Sequence, residues 1–180
     1  MRTFVAVQIS NETVLDSIAK LQSELKIDAK PVSKENMHFT LFFLGEISDD
    51  VAQKVMESLN SVSFAPIDVK LIEVGAFPNA IFPRVVWLGV DKNAAKSLID
   101  LATQVEEKLR LLGFKSDKPF KPHLTIFRIK NKVIDISQEL NRFKSVEIGH
   151  ETVSELKFKK SILTPTGPIY SDLQVVKAKQ

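Results

Sequence analysis

Met37-His38-Phe39-Thr40-Leu41 and Pro122-His123-Leu124-Thr125-Ile126 carry one pattern twice, a histidine and a threonine two residues apart inside an apolar run. A β-strand sends residues i and i+2 to the same face. His38 and Thr40 therefore share one side, with Phe39, Leu41 and Phe43 on the other. His123 and Thr125 likewise share a side, with Leu124 and Ile126 behind them. Each strand offers an imidazole beside a hydroxyl, backed by packing. With eight threonines in 180 residues, a threonine two places after a given histidine arises by chance roughly once in 20, and two such cases roughly once in 500.

The flanks repeat as well. Before the first motif, Phe4, Ala6 and Gln8 alternate with Val5, Val7 and Ile9, which predicts a strand. A helix capped by Ser10 or Asn11 follows from Glu12 to about Lys26, with Val14, Leu15, Ile18, Leu21, Gln22 and Leu25 at helical spacing. The polar loop Pro31 to Asn36 delivers the motif strand, His38 to Leu44, and Gly45 ends it. Ser48-Asp49-Asp50 caps a second helix through about Asn60. The chain continues as a strand near Ile67 to Gly75, a turn at Ala76 to Ala80 and a strand from Arg84 to Val90.

A long helix then starts at Asp91 or Asn93 and runs to about Leu112, stopped by Gly113, with Ala95, Leu98, Ile99, Ala102, Val105 and Leu109 as its buried stripe. The loop Phe114 to Pro122 delivers the second motif strand, His123 to Ile129. A short helix from Ser137 to Phe143 precedes strands at Glu147 to Val153, Glu155 to Leu163 and Ile169 to Lys177. Pro165 to Pro168 turns between the last two. Strand, helix, motif strand, helix thus occurs twice, which predicts an internal duplication. No Gly/Ser-rich linker divides the halves, so the expectation is one bilobal domain over residues 1–180.

The composition excludes several functional classes. Cysteine is absent, which removes disulfides, thiolate nucleophiles and cysteine-ligated metals. Met1 to Ile9 reads as a strand and not as a signal peptide, and no stretch approaches the roughly 18 uninterrupted apolar residues of a membrane span. A cytoplasmic protein with no membrane partner is expected. The net charge of +3 is modest. Lys115, Lys118, Lys121, Arg128, Lys130 and Lys132 do gather around the second motif, as a solvated surface or as mild steering of a phosphorylated substrate.

Two imidazoles facing each other across a pseudo-two-fold axis suit in-line displacement at phosphorus, which needs a base on the entering oxygen and an acid on the leaving one. Imidazole titrates near neutral pH and fills either role. Thr40 and Thr125 flank the same space, where their hydroxyls can hold phosphate oxygens. No metal or other cofactor is called for, since no further ligands stand at metal-binding spacing. A nucleophile elbow and a glycine-rich phosphate loop are both missing. His150, with no hydroxyl two residues on, reads as structural.

The two His-x-Thr-x tetrads and their surroundings closely resemble the two-histidine phosphoesterases, and within them the 2′-5′ RNA ligase-like proteins, or RNA 2′,3′-cyclic phosphodiesterases. The matching segments are Arg2 to Val7, Glu35 to Glu46, Gly75 to Pro78, Pro83 to Val90, Lys118 to Arg128 and Ser161 to Tyr170. The resemblance implies an α+β fold in which two antiparallel sheets line a central cleft with helices packed outside. It also implies hydrolysis of a 2′,3′-cyclic phosphate at an RNA end, or on a nucleotide, to a 2′-phosphate. His38 becomes the proton donor to the departing 3′ oxygen and His123 the proton acceptor from water, with Thr40 and Thr125 on the phosphate.

Arg128 matches a family arginine and is a candidate phosphate contact, yet strict alternation turns it away from His123. A long reach round the strand end, a bulge that shifts the parity, or a structural role each accounts for it. Phe42, on the face of His38 and Thr40 by alternation, is a candidate for stacking on a base. Trp87 and Tyr170 are explained by packing. A monomer is expected. Joining of RNA ends through a 2′-5′ linkage and non-catalytic binding of RNA ends stand as alternative activities.

Overall fold

Alternating apolar residues form β1 (Arg2–Gln8), and Asn11 then caps α1 (Glu12–Glu24), its side chain accepting from the Val14 N–H at 3.1 Å. Ser48 caps α2 (Asp49–Leu59) and Asp91 caps α3 (Lys92–Arg110) in the same way, each at 3.2 Å. Such caps are worth about 1 kcal/mol apiece. The remaining elements are β2 (Lys30–Pro31), β3 (His38–Glu46), β4 (Ile67–Phe77), β5 (Val85–Val90), β6 (Leu124–Arg128), α4 (Ser137–Arg142), β7 (Glu147–Val153), β8 (Glu155–Thr164) and β9 (Gly167–Lys177). This computed structural model describes residues 1–179.

The strands form two antiparallel sheets, β3-β1-β8-β9 and β2-β6-β5-β4-β7. Apart from β2, the orders correspond strand for strand. In each half the motif strand returns antiparallel beside the strand that preceded the helix, β3 on β1 and β6 on β5. The helices interlock the halves. α1 lies against β6 and β7 of the five-stranded sheet, and α3 lies against β3 and β4. One core cluster accordingly spans both sheets, from Val7 and Phe39 to Leu88, Leu98 and Phe127. Each fully buried side chain of this size contributes about 1.5–3 kcal/mol.

Both motif strands are bulged, and at the same place. Thr40 stands opposite Ala6 and Phe42 opposite Val5, so Leu41 has no partner on β1. Thr125 stands opposite Trp87 and Phe127 opposite Val86, so Ile126 has none on β5. A bulge reverses the alternation for every residue beyond it. Leu41 and Phe42 are therefore both buried and Phe43 is exposed; Ile126 and Phe127 are both buried and Arg128 is exposed. Phe43 and Arg128 become the outward residues of their strands, on the side of the histidine and threonine.

This corrects two expectations. Phe42 is only 5% exposed and belongs to the core, whereas Phe43 is 53% exposed. Phe42 is thus removed from base stacking, and Phe43 does not lie behind His38. Smaller differences have local causes. Ile99 is 41% exposed and Leu101 takes its place in the α3 stripe. Pro31, expected in a loop, pairs with Phe127 as its neighbour Lys30 does with Arg128, too short a strand to leave a periodic signal. Gln22 keeps the inward position its spacing predicts, its amide donating to the carbonyls of Val32 and Ile126, each at 2.9 Å.

Candidate active site

His38 opens β3, where Gln8 of β1 stands opposite it. Phe4 stacks on its ring at 5.1 Å, and Tyr170 of β9 meets it edge-on at 5.3 Å. Burial pushes the His38 pKa down to about 4, and the positive charges of Lys159 and Arg128 add to that shift against a carbonyl hydrogen bond at Asn36. The imidazole is therefore neutral at pH 7 in the free protein.

His123 stands immediately before β6, walled by Phe77 at 5.0 Å, which in turn meets Trp87 at 5.2 Å. Its Nδ1 lies 2.6 Å from the Lys121 carbonyl. A carbonyl only accepts, so Nδ1 carries the hydrogen and Nε2 is left as the working nitrogen. Asn36 and Lys121, the backbone groups that raise the pKa of each histidine against the effect of burial, each precede their histidine by two residues. Burial lowers the His123 pKa as well, and Arg128 contributes in the same direction. The wall behind it depends on Gly75, because a Cβ there would come within 2.2 Å of the Trp87 ring.

The strands β3 and β6, which carry the two threonines and come from opposite sheets, lie against each other. Arg128 stands at the end of β6 on the bulge-corrected face, and its charge is felt by His38, His123 and Tyr170. A guanidinium charge felt by both imidazoles favours an anion bound near them. Phe43, its counterpart in β3, carries the Arg2 guanidinium over its ring at 5.1 Å.

The rest of the basic cluster divides. Lys121 lies over Phe77 at 5.9 Å, while Lys132 is bound to Asp28 at 3.0 Å. His150 is exposed on β7, at the far edge of the five-stranded sheet from β6 and opposite Lys70. No three His, Asp or Glu side chains among the described residues converge as metal ligands. No described helix is long and apolar enough to cross a membrane.

Two features beside His38 were not legible in the sequence. Lys159 is a buried cation, 5% exposed, held by Asp172 at 2.6 Å and by the Gln8 side-chain oxygen at 3.0 Å. Tyr170, for which strand packing is explanation enough in the sequence, is the edge partner of both His38 and Phe4.

The family model described as LigT like Phosphoesterase matches this chain twice, over residues 8–87 and 88–170. The chain belongs to the LigT-like phosphoesterase family. One match contains His38 and Thr40 and the other His123 and Thr125, so each tetrad falls in its own copy of the family pattern. Relatives named RNA 2′,3′-cyclic phosphodiesterase include one from Archaeoglobus fulgidus, 41% identical over 97% of this chain and 99% of its own length. Another, from Methanocaldococcus jannaschii, is 40% identical over 94% and 96%. Among solved structures, the Thermus thermophilus protein TT0787 superposes with a TM-score of 0.82 at 29% identity, covering 98% of this chain and 97% of that one. E. coli LigT complexed with 3′-AMP shares the fold, with a TM-score of 0.81 at 24% identity over 99% and 98%.

Proposed function

We propose that this protein hydrolyses 2′,3′-cyclic phosphates at RNA ends to 2′-phosphates, as a single bilobal catalytic domain, monomeric and cytoplasmic. The observation that carries this reading is the pairing of two imidazoles, both lowered in pKa by burial, with one guanidinium whose charge both feel, on adjoining strands of a family whose relatives bear that enzyme name. Thr40, Thr125 and Arg128 hold the non-bridging oxygens. His123 takes a proton from water as its oxygen bonds to phosphorus, and the bond from phosphorus to the 3′ oxygen breaks. His38 gives that oxygen a proton. One water is consumed, the 2′-phosphomonoester and a 3′ hydroxyl form, and the two histidines exchange protonation states with solvent before the next turnover.

The depressed titration of both imidazoles has a kinetic consequence. One histidine must be protonated for the reaction, yet the free protein disfavours both imidazolium forms. A phosphate bound between them stabilises positive charge on either ring and raises both pKa values. The free enzyme governs kcat/KM and the complex governs kcat. On a 2′,3′-cyclic nucleotide, kcat/KM is expected to be falling already below the ordinary histidine value of 6.5, because both free imidazoles titrate below it, while kcat holds to higher pH. Stopped assays across pH 4–9 at saturating and limiting substrate give both profiles. Coincident alkaline limbs count against an anion seated between the two histidines.

A further inference from the structure

A cavity of about 380 Å³ opens beside His38 on the face of the four-stranded sheet that carries it, lined by Gln8, Asn36, Lys157, Lys159, Tyr170 and Asp172 among others. Three of these tie the cavity to the histidine. The Asn36 backbone acts on its titration from two residues away, Gln8 is its cross-strand partner, and Tyr170 meets its ring at 5.3 Å. None of the cavity's polar side chains is used in the proton transfers described above.

The floor is a bonded cluster with capacity left over. Lys159 Nζ donates to Asp172 Oδ1 at 2.6 Å and Gln8 Oε1 at 3.0 Å. Lys157 Nζ donates to Gln8 Oε1 at 3.3 Å and pairs with Asp172 Oδ2 at 3.1 Å. An ammonium has three donors and a carboxylate about four acceptor sites, so each lysine keeps one N–H free and Asp172 keeps room to accept. Burial works against the Asp172 carboxylate, and the hydrogen bonds from Lys159 and Lys157 outweigh it, so it stays ionised.

Charge and shape then select the occupant. The two lysines are balanced by Asp172 and by Glu35 at the rim, which leaves a polar cavity without excess charge. Such a site favours a neutral group bearing adjacent donors and acceptors over a second phosphate. Tyr170, Pro168 and Ile169, the last 60% exposed, supply an apolar wall. A planar heterocycle with a polar edge fits both surfaces, since its face packs on the wall and its edge meets the free ammonium N–H groups and Asp172. The location agrees. With His38 protonating the 3′ oxygen, the ribose lies on the His38 side of the phosphorus, and its base projects away from the reacting centre.

We propose that the cavity formed by Gln8, Lys157, Lys159 and Asp172 receives the base of the nucleotide that carries the cyclic phosphate. The enzyme then discriminates among RNA 3′ ends and favours purines, which fill the cavity better than pyrimidines. This rests on the cyclic phosphodiesterase reading, and the test separates the two. Wild-type kcat/KM is measured on the four nucleoside 2′,3′-cyclic phosphates, on 1-O-methylribose 2′,3′-cyclic phosphate, which lacks a base, and on 5′-phosphorylated adenosine 2′,3′-cyclic phosphate. The expected order is purine above pyrimidine above baseless, with about tenfold or more between adenosine and the baseless compound. Lys157→Met keeps the buried Lys159–Asp172 pair and is expected to collapse that ratio toward one.

A wild-type enzyme that hydrolyses the baseless compound as fast as the adenosine one overturns the proposal with no variant needed. So does a Lys157→Met enzyme that loses activity equally on every substrate, or only the advantage conferred by a 5′ phosphate. Absence of hydrolysis on the whole panel overturns the underlying functional reading instead.

Discussion

Replacing either His38 or His123 with alanine is expected to lower kcat on a 2′,3′-cyclic nucleotide by about 10³-fold, within the range for loss of one general acid or base. The double substitution is expected to cost little more than the larger single one. The two imidazoles act in the same displacement, and groups that work as a unit are not additive. Folding should survive, because neither histidine is fully buried and neither belongs to the hydrophobic core cluster. Circular dichroism and thermal melting of the variants supply that control. Losses of only a few-fold in both variants would remove the histidines from the chemistry.

Arg128→Met is expected to lower kcat/KM by about 10²-fold, the order found when a preorganised donor to a developing charge is removed. A positional effect on phosphate alone does not distinguish Arg128 from any nearby cation, so the pH profile is the sharper readout. Its guanidinium depresses both histidines. Without that charge both pKa values rise, and the alkaline limb of kcat/KM moves to higher pH. Arg128→Lys retains the charge but not the two-pronged donor, so the limb should stay in place while part of the rate is lost. An unshifted limb in Arg128→Met contradicts the placement of Arg128 near the imidazoles.

That placement illustrates what spacing reveals and what it conceals. The tetrads are legible because His and Thr two apart on a strand share a face whatever the partner strand does, and the bulges fall only after them. Arg128 and Phe43 lie beyond Leu41 and Ile126, where counting by two requires an unbroken ladder. Nothing local marks Leu41 or Ile126 as extra residues. They are apolar like their neighbours, and the mismatch exists only against β1 and β5. Counting by two places Phe42 on the open face for that reason, whereas Arg128, for which a shift of parity is one of three readings, is found on the face such a shift requires.

Helix caps and element order are legible for the opposite reason, since Asn11, Ser48 and Asp91 act within three residues of their own position. The Lys159–Asp172 pair could not be read in advance. It joins two strands across a hairpin whose register is itself broken by a bulge between Phe158 and Lys159. The duplication is visible as a repeated order of elements. The interlocking of α1 and α3 with the opposite sheets is a tertiary property, and it is what makes the two halves share one core.

The most direct test of two-histidine hydrolysis is phosphorus NMR of the product formed from adenosine 2′,3′-cyclic phosphate in the presence of excess chelator. With His38 protonating the 3′ oxygen and no metal taking part, 2′-AMP should be the sole product, formed at the rate seen without chelator. A 3′-AMP product, a mixture of the two isomers, or a reaction abolished by chelator would contradict the account.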